Sequence, residues 1–230
     1  FLIVNFFPLA QFLIFAPKIK QMRYVLTIIA LYAFSTFAQD TKSQGILDKL
    51  STKMKGYKTF YIEFSATIKN AATGTNETET GKGWVKGDKF CATYGENTII
   101  SNGTKTWTIV KEEKTVYETD AAEADEESIN PKKLMTIWET GFKNKYDRED
   151  KLNNEAVHVI NLYPKNPAKV EYHTITLYIS KSSNELKKAV LKTKDGTTMT
   201  YTVNKFDGNT AIEDSKFVFD SKKYPGYSVI

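Results

Sequence analysis

The segment Phe60 to Lys69 constrains the fold most. Phe60, Ile62, Phe64, Ala66 and Ile68 alternate strictly with Tyr61, Glu63, Ser65, Thr67 and Lys69. A period of two over that length describes a strand with one buried and one solvated face, and such a strand needs a sheet around it. The sequence on either side supplies one. A polar tip, Asn70 to Glu77 with Gly74, leads back into Thr78 to Lys86 as a hairpin. Gly87-Asp88 turns the chain into Phe90 to Gly95, and a strand at 97–101 meets the turn signal Asn102-Gly103. Thr106 to Lys111 and Thr115 to Glu118 continue the meander.

The second half returns to the same period. Val157 to Tyr163, Ile175 to Ile179, Leu186 to Lys194, Thr197 to Phe206 and Phe217-Val218-Phe219 read as strands, with Asp195-Gly196 as a hairpin turn. Two stretches carry helical spacing instead. Ile46, Leu47, Leu50 and Met54 share a face over about 43–55, with Asp40 or Ser43 as the cap and Gly56 at the end. Asn130-Pro131 opens a short helix bearing Leu134, Ile137 and Trp138, which Gly141 stops. About eleven strands and a few short helices make one α+β domain, mostly antiparallel.

The N-terminal region addresses the chain out of the cytoplasm. Met22-Arg23 is a basic head, Tyr24 to Phe34 an apolar run, and Ser35 to Ala38 ends on a small residue. That order is a secretory signal, so residues 1–21 are expected to be upstream sequence, 22–38 the signal peptide cleaved after Ala38, and 39–230 the domain. Removing 38 of 230 residues leaves 192, ample for one core. The leader carries Lys18, Lys20 and Arg23, so the remainder holds 29 basic and 27 acidic residues and lacks the basic stripe of a nucleic-acid binder. Cys91 is the sole cysteine, so no intramolecular disulfide can form.

Catalytic and metal signatures are missing. His158 and His173 stand at no metal-ligand spacing, and no nucleophile elbow or phosphate loop occurs. Cys91, between Phe90 and Ala92 on a strand, reads as a buried inert thiol. Glu118 to Glu127 holds six acids in ten positions but no turn glycine for a calcium loop, and reads as a solvated run. The chain is therefore expected to be neither an enzyme nor a holder of a cofactor or metal. The remaining signal is apolar bulk on strand faces: Phe60, Ile62, Phe64, Trp84, Phe90, Trp107, Ile175, Leu177 and Ile179. Such residues either fill a closed core or line a cavity, and periodicity does not separate the two.

The order of elements adds a resemblance. A helix precedes Phe60-Tyr-Ile-Glu-Phe64; Gly81-Lys-Gly-Trp-Val-Lys-Gly87 follows, then Ile99-Ile-Ser-Asn-Gly-Thr-Lys-Thr-Trp107, and Phe217-Val-Phe lies near the end. Over 39–230 this resembles the periplasmic outer-membrane lipoprotein carrier (LolA) family. The resemblance implies a strongly curved, half-open antiparallel barrel of about eleven strands closed by a lid of short helices. It implies a monomeric periplasmic carrier that takes acylated lipoproteins from an inner-membrane ATP-binding-cassette complex to an outer-membrane acceptor. Phe60, Ile62, Phe64, Trp84, Phe90, Trp107, Ile137, Trp138, Ile175 and Leu177 become the candidate lipid-binding residues of cavity and lid. Carriers of the family have an arginine after the tryptophan-valine-lysine segment, where this chain has Gly87-Asp88, so the lid is expected to close differently. The same fold also serves sensors of mislocalised lipoproteins and carriers of other lipids.

Overall fold

The structure, a computed structural model, describes residues 40–121 and 136–230. The expected signal peptide and the first half of the expected helix at Asn130–Gly141 lie outside the described residues. Helix α1 (Thr41–Lys55) comes first, and the sequence selects its ends locally. Of the two candidate caps, Asp40 serves: its Oδ1 accepts from the amides of Lys42 (3.1 Å) and Ser43 (3.3 Å). Lys53 and Lys55 occupy the last turn, where cations offset the carbonyl end of the helix dipole. Ile46, Leu47, Leu50 and Met54 form its buried stripe.

Six strands follow: β1 (Thr59–Asn70), β2 (Thr75–Lys86), β3 (Lys89–Tyr94), β4 (Asn97–Ser101), β5 (Lys105–Val110) and β6 (Thr115–Asp120). A 3-10 turn at Ile137–Glu139 precedes β7 (Phe142–Leu152), β8 (Glu155–Pro164), β9 (Tyr172–Ser180), β10 (Leu186–Thr193) and β11 (Thr198–Gly208). Two more 3-10 turns, Asp214–Phe217 and Ser221–Lys223, lead to the two-residue β12 (Ser228–Val229). The described strands form one sheet in the order β12-β6-β5-β4-β3-β2-β1-β11-β10-β9-β8-β7. Two meanders thus meet at the β1–β11 pair, and every pairing is antiparallel except the short β12–β6 contact. The first and last strands in this order do not pair with each other, so the barrel is open.

Two expectations are corrected, and a third falls only in part on described residues. Twelve strands replace about eleven, because Phe142–Leu152 and Ser228–Val229 join the sheet and Phe217–Phe219 does not. Phe217-Val218-Phe219 is not a strand: Phe217 ends a 3-10 turn and is fully buried, while Val218 is 56% exposed. Of the expected lid helix, the described part is a single 3-10 turn at Ile137–Glu139.

Each face of the sheet has its own core. On the inner face, the α1 stripe packs with Phe60, Ile62, Val85, Phe90, Ile160 and Leu177 among others. On the outer face, Cys91, Ile100, Trp107, Ile109, Val116 and Phe217 form a second cluster under the C-terminal strap. Phe219 stacks on Trp107 (5.7 Å between ring centres) and Tyr224 on Phe219 (5.6 Å), so aromatic rings pin the strap to the sheet.

Candidate functional site

Strand parity decides which side chains face the helix. Phe60, Ile62 and Phe64 point inward on β1, and their partners on β2 are Val85, Gly83 and Gly81. Across β3, Gly83 pairs with Ala92 and Gly81 with Tyr94. Strand β2 and its neighbour therefore offer no bulky side chain of their own to the inner face at Gly81, Gly83 and Ala92, and the Phe64 ring lies over Gly81. A hollow of about 260 Å³ occupies the inner face above these strands. Protein interiors ordinarily keep few voids larger than a water molecule, so a space this size is a retained feature of the packing.

The hollow draws on both halves of the sheet. Ile62 and Phe64 come from β1, Ala92 and Ile99 from β3 and β4, and Thr108 from β5. Ile175 of β9, with Leu186, Ala189 and Leu191 of β10, supplies the facing wall. Strands β5 and β9 are seven steps apart in the sheet order, which in a flat sheet would separate them by about 33 Å. That Thr108 and Ile175 line one hollow means the sheet curls around it.

Helix α1 and the 137–139 turn are tied over this face by polar contacts. The Trp138 indole N–H donates to Ser51 Oγ (2.8 Å), and Lys55 pairs with Glu139 (2.9 Å). Lys53 Nζ donates to Glu185 Oε1 (2.9 Å) and to the Ser183 carbonyl (2.6 Å). At the other end of α1, Asp40 Oδ2 accepts from the Tyr146 amide on the edge strand β7 (2.6 Å). That amide is the largest influence holding the Asp40 carboxyl below its ordinary pKa.

The ten candidate residues fall into three groups. Ile62, Phe64, Ile137 and Ile175 line the hollow. Phe60, Phe90, Trp138 and Leu177 lie in the packed inner core beside it. Trp84 and Trp107 are corrected: both face outward. Trp84 pairs with Tyr61, the outward residue of β1, and Trp107 joins the outer cluster and donates its indole N–H to Glu118 Oε2 (2.7 Å). Their bulk gave no indication of face, because parity depends on a pairing register that a single strand does not carry. Ala92, Ala189 and Leu191 line the hollow without having been expected to; the run of small residues facing Ile62 and Phe64 becomes meaningful only once strands are paired.

Glu118, expected to start a solvated acidic run, belongs to β6 and accepts from both Trp107 and Lys105. Burial pushes the Cys91 thiol above its ordinary pKa, as suits an inert core residue. Among the described residues, no group of three His, Cys, Asp or Glu is placed to hold a metal, and no helix is long and apolar enough to cross a membrane.

An open antiparallel sheet curled around one apolar hollow, with a helix laid on the same face, defines a half-barrel. The chain belongs to the family described as "Outer membrane lipoprotein carrier protein LolA", whose profile matches residues 55–220. The match is shorter than the expected 39–230 and leaves out most of α1 and the last ten residues. A solved structure of a conserved protein from Thermus thermophilus is similar in fold at 12% identity, with a TM-score of 0.52, over 83% of this chain and 99% of that one. LprF from Mycobacterium bovis aligns at 12% identity over 77% of this chain and 97% of its own, with a TM-score of 0.48. A LolA-superfamily protein from Nitrosomonas europaea aligns at 11% identity over 76% and 97%, with a TM-score of 0.41. Comparison with curated proteins finds no match.

Proposed function

We propose that the chain is an extracytoplasmic carrier that shields acyl chains of lipoproteins in the hollow between the two halves of its sheet and conveys them from the inner to the outer membrane. The observation that carries this reading is the hollow itself, about 260 Å³, whose surface is mostly apolar. Each methylene taken from water into such a space contributes about 0.8 kcal/mol, so a bare acyl chain crosses an aqueous compartment only if shielded. Family membership supports the same reading. The signal expected at 22–38 supports a periplasmic carrier, and the partners proposed with it are an inner-membrane releasing complex and an outer-membrane acceptor. Binding and release, with no bond made or broken, are the whole of its activity.

The size of the hollow refines the reading. Pockets for small ligands run from about 300 to 1,000 Å³, so this one holds part of an acyl chain as it stands. Larger cargo requires an open form in equilibrium with this one, and cargo shifts that balance. The 137–139 turn is the element to move, because Ile137 lines the hollow and the turn is held by two polar contacts. Gly87 takes no part in closure: with φ +59 it is the first residue of the two-residue turn between β2 and β3. Trp138–Ser51 is the latch in its place.

Native mass spectrometry of protein purified from a host with an outer membrane tests the carrier. Acylated protein or lipid bound to the chain is the expected result. Bare chain alone, with a hollow that admits no lipophilic probe, would overturn the proposal.

A further inference from the structure

The hollow has two unlike walls. The β9–β10 wall offers Ile175, Leu186, Ala189 and Leu191, with no side-chain hydrogen-bonding group. The β3–β5 wall offers Tyr94, Asn97 and Thr108 beside its apolar residues. Tyr94 pairs with Asn97 across β3 and β4, and Thr108 pairs with Ile99 across β4 and β5, so the three polar side chains fall on adjoining strands. No hydrogen bond among the described residues uses the Tyr94 hydroxyl, the Asn97 amide or the Thr108 hydroxyl; the three groups reach solvent, with Asn97 exposed at the rim of the hollow. Tyr201, reaching the hollow from β11, has only a 3.9 Å contact to the sulfur of Met199. Burial holds both tyrosines above their ordinary pKa, with Glu79 and Glu77 adding to the effect at Tyr94, so each phenol remains a donor at neutral pH.

Unused donors along one wall of an apolar space discriminate between ligands of equal greasiness. A plain hydrocarbon would strip water from these groups and return nothing, whereas a carbonyl oxygen placed among them would accept the hydrogen bonds that water otherwise makes. We propose that the hollow recognises a carbonyl-linked acyl chain, with the ester or amide oxygen against Tyr94, Asn97 and Thr108 and the methylenes against the β9–β10 wall. This rests on the carrier reading and narrows its cargo: ester- or amide-linked chains are preferred over ether-linked chains of the same length. The same chemistry occurs in a free glycerolipid and in the acylated N-terminus of a lipoprotein.

Two matched probe pairs test the proposal on the delipidated full chain by equilibrium binding. The first pair is 1-monolauroylglycerol and 1-O-dodecylglycerol, which differ in the carbonyl. The second is a diacylglyceryl-cysteine peptide and its dialkyl-ether analogue. Tighter binding of the ester by about tenfold is expected in at least one pair, the yield of one net hydrogen bond. Preference in the first pair alone points to free glycerolipid and in the second to an anchored peptide, and either upholds the inference. Asn97→Ala combined with Thr108→Val should bring ester and ether within about twofold. Equal affinity of ester and ether for the unmutated chain in both pairs would overturn the inference and leave the carrier reading standing. Failure of all four probes to bind would strike the carrier reading itself, and this inference with it.

Discussion

The Phe64 ring occupies the space that a side chain at Gly81 would fill: a Cβ built on Gly81 would lie 2.3 Å from Phe64 Cζ. The ring crosses β2 at this point and stacks on Tyr94 of β3 (6.3 Å, 11° between planes). Aromatic cover over a strand glycine is one way a sheet keeps its register where a side chain is missing. Here it also shapes the hollow, since Phe64 and Tyr94 are both part of its lining.

Gly81→Ala should therefore act at two levels. Forcing the ring off its site resembles overpacking and should cost about 1–3 kcal/mol in denaturant unfolding. The same displacement puts the ring into the hollow, so affinity for a lipophilic probe should fall together with stability. Unchanged affinity would mean that Phe64 does not border the binding space.

The outer face should behave differently. Phe217 is fully buried in a cluster that lines no part of the hollow. Phe217→Ala is expected to lower stability by about 3–5 kcal/mol while the folded fraction binds probe as before. Urea unfolding and probe titration on the same sample separate the two effects.

These faces mark where the sequence was informative. Helix α1 is observed at Thr41–Lys55 against an expected 43–55, because its stripe and cap are local signals. Ten of the strands up to β11 came from alternation or turns in the same way. Strand β7 was missed because Phe142, Tyr146 and Leu152 are diluted by Lys143, Lys145, Asp147, Arg148, Glu149, Asp150 and Lys151. Charges are what an edge strand needs to resist pairing with another chain, and they erase its apolar pattern. Phe217-Val-Phe failed in the opposite sense: its aromatics are core residues, but they reach the core from a turn crossing the outer face. The hollow was illegible for a third reason. Its lining includes side chains too small to attract notice, Ala92 and Ala189, brought together by a register between strands far apart in the chain.

The latch is open to a mild test. Ser51→Ala removes the acceptor of the Trp138 indole N–H and should cost about 1 kcal/mol. Amide exchange at 136–140 should quicken, and the association rate of a lipophilic probe should rise if this turn gates the hollow. A faster exchange with no change in association rate would separate the turn from entry.

The contacts that seat α1 predict how stability varies with pH. Burial alone would raise the Glu185 pKa, but the hydrogen bonds from Lys53 and Ser183 outweigh it and leave it below its ordinary 4.5. Asp40, held down chiefly by the Tyr146 amide, lies below its ordinary 3.8. Carboxyls depressed in the folded state stabilise it above their ordinary values, and that stability is lost as pH falls through the depressed ones. Lys53 runs the other way. Burial opposes its charge, the Glu185 hydrogen bond prevails, and its pKa stands above 10.5. Its contribution is present below 10.5 and is lost as pH rises through the raised value. Melting temperature is thus expected to fall below about pH 4.5 and again above about pH 10.5, and Glu185→Gln should flatten both limbs. Identical pH profiles for the variant and the unmutated chain would remove this pair from the account.

The central claim, that acyl chains enter the hollow, is tested most directly by photocrosslinking. A diacylated lipopeptide carrying a diazirine at mid-chain would be bound to the delipidated protein, irradiated, and its adducts mapped by peptide mass spectrometry. Labels are expected on Ile62, Phe64, Ile175 and Leu191, the inner residues that face one another across the hollow. Labels confined to the outer face around Trp84 and Trp107, or no specific labels, would contradict the claim.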